Sequence, residues 1–126
     1  MTAVEDFVPI NRIRAGRAFV EELMYALVDD RLTIRSEWSE RIQDFRRADE
    51  YTVGEFSPDV PGRGFRLDRS AEAIERDPDG VTHYSVLVPE MGVPVCDCRG
   101  AISKETVGGV CKHAAIVRHL VVSGHL

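Results

Sequence analysis

The chain has 126 residues, 44% of them apolar and 29% charged, with a formal net charge of −5. That length suits one domain, or a small module with an extension, and supports a core of modest size that gains from a staple. No run of about 18 apolar residues is present, which excludes a membrane-spanning helix. The opening "MTAVEDFVPINRIR" lacks the basic-then-apolar order of a secretory leader, so a cytoplasmic setting with reduced thiols is expected.

In chain order, "NRIRAGRAFVEELMYALVDD" places Ile13, Gly16, Val20, Leu23, Met24, Leu27 and Val28 at helical spacing, with Asn11 as N-cap. This predicts a helix packed on a core, and its apolar face is also a candidate for homodimerisation. "SEWSERIQDFRRADE" predicts a second helix: Trp38, Ile42, Phe45 and Ala48 or Asp49 share a face, Ser36 caps it, and Glu37 and Glu40 fill the first turn. Its arginines alternate with acids, as on a solvated surface. "YTVGEF" reads as a short strand. "SPDVPGRG" (57–64), with two prolines and two glycines, reads as a loop and a candidate boundary.

"FRLD" then reads as a strand, "SAEAIERD" as one or two helical turns capped by Ser70, and "PDG" (78–80) as a turn. From Val81 the pattern changes. "VTHYSVLVP" is rich in β-branched and aromatic residues, "PEMG" (89–92) turns the chain, and "VPVCDC" returns as an edge strand that tolerates Pro94. "AAIVRHLVV" (114–122) predicts a final helix that stops at Gly124.

All three cysteines lie in that last part, at 96, 98 and 111, followed by His113. Three thiolates and an imidazole form a donor set suited to tetrahedral zinc. In an extended stretch, residues i and i+2 point the same way, so Cys96 and Cys98 converge on one ion while Asp97 faces outward. Cys111 and His113 do the same at the entry to the helix, and Gly100, Gly108 and Gly109 let the intervening loop fold back. Asp97 and Glu105 are candidates to orient His113. The alternatives are a buried thiol cluster without metal, or a redox or nucleophilic Cys111–His113 pair, for which no orienting third group is evident. His119 would replace His113 as ligand only if the helix began later. His125 and His83 read as surface or core histidines.

The spacing C-x-C, twelve residues, C-x-H resembles the SWIM zinc finger, over roughly the last 45 residues. The resemblance implies a β-hairpin followed by a helix, one structural Zn²⁺ on Cys96, Cys98, Cys111 and His113, and binding of DNA or of a protein partner. Many family members carry a proline and an aromatic residue soon after the second cysteine, where this chain has Arg99 and Gly100.

The expected fold is therefore α+β: N-terminal helices with short strands in a region of unknown role (1–80), then a C-terminal β-hairpin plus helix zinc finger of SWIM type (81–126). Residues 1–93 carry a net −7 and residues 94–126 a net +2. Arg99, Lys104, Lys112 and Arg118 are the cations available to a phosphate backbone, and a DNA-associated adaptor or regulator is the first functional reading. A protein-interaction or dimerisation module with a purely structural zinc is the second, favoured by the acidic balance. No phosphate loop, carboxylate pair or nucleophile motif is present, so no enzymatic activity is expected. Arginine outnumbers lysine 14 to 2, a composition that suggests a salt-adapted prokaryote or its virus.

Overall fold

The computed structural model describes residues 7–13, 20–98 and 111–126, with side chains placed for 7–9, 23–98 and 111–126. Seven strands follow one another as β1 (Val8–Ile13), β2 (Val20–Val28), β3 (Arg31–Ser39), β4 (Asp44–Phe56), β5 (Gly62–Arg69), β6 (His83–Pro89) and β7 (Val95–Cys96). They form one antiparallel sheet in sequential order, each strand paired with the next. Two helices complete the described residues, α1 (Ala71–Arg76) between β5 and β6, and α2 (Lys112–Val122) at the C-terminal end.

Among the described residues the expected N-terminal helices are absent, and the α+β class built on them is corrected to a sheet with one helix in its hollow. The first predicted helix is β1 and β2, and the second is the β3–β4 hairpin. The apolar residues of 23–28 satisfy two periods at once, and those of 31–36 only the strand period. Leu23 and Tyr25 on β2, and Leu32, Ile34 and Ser36 on β3, are buried at alternate positions, as a half-buried strand requires. Asp29 and Asp30, expected to end a helix, form the two-residue turn between the paired Val28 and Arg31. Asp29 adopts φ 56°, which a short polar side chain tolerates. The second helix loses its buried face as well: Trp38 and Ile42 are exposed, and Trp38 packs edge-on against Phe45 across the hairpin, 5.2 Å between centroids. Ser36 caps nothing and is a buried strand residue.

From residue 51 onward the expectations agree with the elements, except that β5 begins at Gly62, inside the stretch 57–64 expected as a loop and boundary. "YTVGEF" ends β4 and "FRLD" lies in β5. Ser70 caps α1, its side chain accepting from the Ala73 N–H. The turn at 78–80 closes with the Gly80 N–H donating to the Asp77 carbonyl. The β6–β7 hairpin and α2 stand where they were predicted. Residues on either side of the 80/81 division share the sheet, since β5 pairs with β6 from Gly62 to Asp68.

The sheet is curled. Strands lie about 4.8 Å apart, so β1 and β6 would be separated by roughly 24 Å in a flat sheet, against a helix diameter of about 10–12 Å. Yet α2 packs against β1, β6 and β7 alike. Its Ile116, Val117 and Leu120 are fully buried against Leu23, Leu32, Ile34, Phe65, Leu67 and Val86. Burial of each of these three side chains contributes roughly 1.5–3 kcal/mol. Tyr25 meets His119 of α2 edge-on at 5.6 Å. No described helix is long and apolar enough to cross a membrane.

Gly62 opens β5 with φ 140°, and a Cβ there would stand 2.5 Å from the Val88 carbonyl oxygen and 2.6 Å from the Pro89 Cα, both backbone atoms of β6. Gly80 has φ 62° with open space around it. Gly62→Ala should therefore cost about 2–4 kcal/mol, combining strain with separation of two paired strands, and Gly80→Ala about 1 kcal/mol from its backbone conformation alone. Urea unfolding of both variants checks this order.

Candidate metal centre

The site begins with strand alternation. Pro94, Cys96 and Cys98 are buried, while Val93, Val95 and Asp97 are exposed. β7 ends at Cys96, but the ladder to β6 continues one residue further through a side chain. The Asp97 N–H donates to the Ser85 carbonyl at 3.2 Å, and the Asp97 carboxylate accepts from the Ser85 N–H at 2.8 Å. Asp97 thus faces away from the cysteines, as its position between them predicts, and holds Cys98 beside Cys96.

The second donor pair is fixed by the start of α2. Cys111 is its N-cap, with extended backbone, and the Cys111 sulfur accepts from the Ala114 N–H at 3.4 Å. The Cys111 carbonyl accepts the first helical hydrogen bond, from Ala115, at 3.0 Å. Hydrogen bonds with Cys96 and with the Ala114 N–H favour the Cys111 thiolate, but the hydrogen bond with Cys98 and burial outweigh them and push the thiol up to about 11. His113 follows in the first turn.

The donor atoms of Cys96, Cys98, Cys111 and His113 all lie within 4.8 Å of one another, and all four residues are buried. The Cys96 sulfur is 3.9 Å from Nδ1 of His113. Zn–S and Zn–N bonds of about 2.3 and 2.0–2.1 Å imply donor separations of roughly 3.5–3.8 Å around a tetrahedron. The cluster fits such an ion with contractions of a few tenths of an ångström to about 1 Å. The cluster can hold one metal ion, and the two donor pairs predicted from sequence are brought together.

Proton chemistry supports this. Hydrogen bonds from Cys111 and Cys96 hold the Cys98 thiol well below the ordinary thiol range, against burial and with help from His113. The Cys96 thiol is pushed far above that range by its hydrogen bonds to Cys111 and Cys98 and by burial. Without a cation the pocket therefore stabilises one thiolate at the expense of its neighbours. A divalent ion removes that conflict, because it deprotonates coordinating thiols outright. Burial holds the His113 imidazole below its usual pKa, in the neutral form that a metal requires.

His113 is framed by the sheet. The Tyr51 hydroxyl on β4 lies 2.8 Å from Nε2 of His113, and the two rings meet at 89°. Tyr84 on β6 stacks against the other side of the imidazole, with 4.7 Å between centroids and a 32° tilt. The Arg69 guanidinium lies over Tyr84 at 5.3 Å and is anchored to Asp77 at 2.6 Å and to the Val81 carbonyl at 3.0 Å. Of the two expected orienting acids, Asp97 faces outward, and Glu105 lies outside the described residues. Tyr51 and Tyr84 were not singled out in the sequence. The only signal was generic, that a tyrosine in an apolar strand needs a partner for its hydroxyl, and nothing indicated a partner 62 positions away.

The cations expected to meet DNA are placed differently. The Lys112 ammonium turns into the sheet, 3.2 Å from the Asp49 carboxylate and 3.4 Å from the Ser36 hydroxyl. With 15% of its side chain exposed, it does not project from α2 as expected. Arg118 is exposed on α2, and Arg99 and Lys104 lie outside the described residues. An open cleft of about 790 Å³ borders the cluster. Its cations alternate with carboxylates: Arg47 stands 3.4 Å from Glu37 and 3.6 Å from Asp49. His119 and His125 are exposed and His83 shares a contact with the Thr82 hydroxyl at 3.0 Å, so none joins the donor cluster.

Comparison with known proteins found no match to any family model, curated protein or solved structure.

Burial raises the Asp49 carboxyl, but Lys112 and Arg47 outweigh it and hold the group below its ordinary value. A carboxyl with a depressed folded pKa stabilises fully above its unfolded value near 4, and that contribution is lost as pH falls through the lower folded value. Asp49→Asn should cost about 1–2 kcal/mol near pH 6, as expected for a half-buried pair. The gap between wild type and variant should close as pH falls from about 5 toward 2. Denaturant midpoints across that range check both the size and the sign.

Proposed function

We propose that this chain is a zinc-binding module of SWIM type, in which one structural Zn²⁺ clamps the end of β7 to the start of α2, and that it acts by binding a protein partner. The observation carrying the metal reading is the buried cluster of three thiols and one imidazole, with all donor atoms within 4.8 Å. Zinc is favoured over harder divalent ions because thiolate is a soft donor and the cluster offers no oxygen. Four protein donors complete a tetrahedron and leave no position for an activated water, which supports a structural role over a catalytic one.

The choice of a protein partner over DNA rests on charge. The chain is acidic at −5, and Lys112, one of the four cations assigned to phosphate, forms an internal ion pair. Arg118 alone on the described part of α2 is a small electrostatic footprint. Met91, Val93 and Val95 of the β6–β7 hairpin are 89, 64 and 55% exposed, an apolar group suited to contact with protein.

Elemental analysis with native mass should find one zinc per chain in wild type and none in Cys98→Ser, and a chelator should lower the thermal midpoint of wild type only. Metal-free wild type would end the reading. Duplex DNA at physiological salt should bind no more tightly than about 10⁻⁴ M, the weak end of non-specific binding. Tighter binding whose salt slope falls in Arg118→Glu would restore the DNA-associated role.

A further inference from the structure

We infer that Tyr51 is the positioning residue of the metal centre: its hydroxyl accepts the Nε2–H of His113 and so commits Nδ1 to the metal. The inference rests on the metal reading above and extends it to a residue from the N-terminal part of the chain.

The geometry assigns separate tasks to the two ring nitrogens. Nδ1 faces the sulfurs, 3.9 Å from that of Cys96, while Nε2 faces the Tyr51 hydroxyl at 2.8 Å. A neutral imidazole carries one proton, and metal ligation needs the ligating nitrogen bare. With Nδ1 as donor the proton sits on Nε2, and the Tyr51 oxygen is within reach to accept it. The neutral phenol oxygen of Tyr51 has a lone pair for this bond. Tyr84 stacked on the imidazole keeps the ring from turning over. Metal-bound histidines commonly direct their second nitrogen to a carboxylate, a backbone carbonyl or water. Here a phenol occupies that place, and it comes from β4, 62 positions before the histidine. The C-x-C…C-x-H segment therefore contains the ligands but lacks the group that orients one of them.

Two measurements on the full-length zinc-loaded protein test this. Long-range ¹H–¹⁵N correlation should show the His113 Nδ1 metal-bound and the Nε2 protonated in wild type. Competition with a chromophoric chelator should show zinc held about 10- to 100-fold less tightly in Tyr51→Phe, the range typical when a partner of a metal-bound histidine is removed. A double-mutant cycle separates positioning from general stability: in a His113→Cys background, which keeps four donors but has no imidazole to orient, Tyr51→Phe should change zinc affinity by less than about 2-fold. Equal losses in both backgrounds, an unchanged affinity in Tyr51→Phe, or ligation through Nε2 would each overturn the assignment while leaving the metal centre intact. Wild type without metal would overturn the metal reading and this inference together.

Discussion

Four donor atoms from two short stretches, 96–98 and 111–113, must meet at one point from which water is excluded, and the rest of the structure serves that requirement. One stretch is the end of a strand and the other the start of a helix, so the cluster joins the sheet's last edge to the element in its hollow. α2 has 11 residues, below the roughly 12–15 at which an isolated helix becomes even marginal in water. It is held along one side by burial of Ile116, Val117 and Leu120 and at its N-terminus by Cys111 and His113. Each fixture makes the other less demanding, because a docked helix places the donors and gathered donors dock the helix. In a chain with so small a core, that mutual support is the staple which the composition calls for.

The electrostatics around the site follow the same logic. Among the described residues, most ion pairs join exposed strand residues, such as Arg31 with Glu50 and Arg66 with Asp68, and pairs of that kind contribute about 0–1 kcal/mol. Two are different. Lys112–Asp49 and Arg69–Asp77 are only 12–18% exposed and flank the cluster from opposite sides. Lys112 lies between two ligands in sequence, so its pairing with β4 fixes the first turn of α2 against the sheet. Arg69 holds the face of Tyr84, which in turn lies against His113. Both cations act on the orientation of the imidazole, which explains why a lysine beside the ligands points inward.

The C-terminal half was legible because its signals are local and chemically specific. Cysteine spacing, alternation through 94–98, the Gly124 stop and the Ser70 cap depend on neighbours a few residues apart. The N-terminal half misled because the apolar run from Leu23 to Val28 offers a helical stripe (Leu23, Met24, Leu27, Val28) and an alternating strand (Leu23, Tyr25, Leu27) about equally well, and the tie is broken only by the partner strand. The Asp29–Asp30 turn was the discriminating feature, since two consecutive acids before an alternating "RLTIRS" fit a hairpin at least as well as a helix end. Trp38 and Phe45 were read as one helical face from their spacing, yet they pack on each other across a hairpin. Tyr51 and Asp49 were invisible as site residues for a stronger reason: their roles exist only once β4 lies opposite α2.

That last point sets an order on how the centre assembles. The Cys96 and His113 donors are 17 residues apart in sequence, whereas Tyr51 and His113 are separated by 62. Loop-closure entropy grows as (3/2)RT ln n, so the longer connection costs roughly 1 kcal/mol more before any contact offsets it. The ligands can therefore gather around an ion from local encounters, as the spacing in the sequence suggests. The hydrogen bond that assigns the imidazole's two nitrogens must wait for the β3–β4 and β4–β5 pairings to carry Tyr51 into place. A metal centre arranged this way would report on the whole sheet: a change that loosens β4 would weaken the hold on an ion without touching a ligand, and loss of that ion would free α2 from the sheet edge that β7 provides.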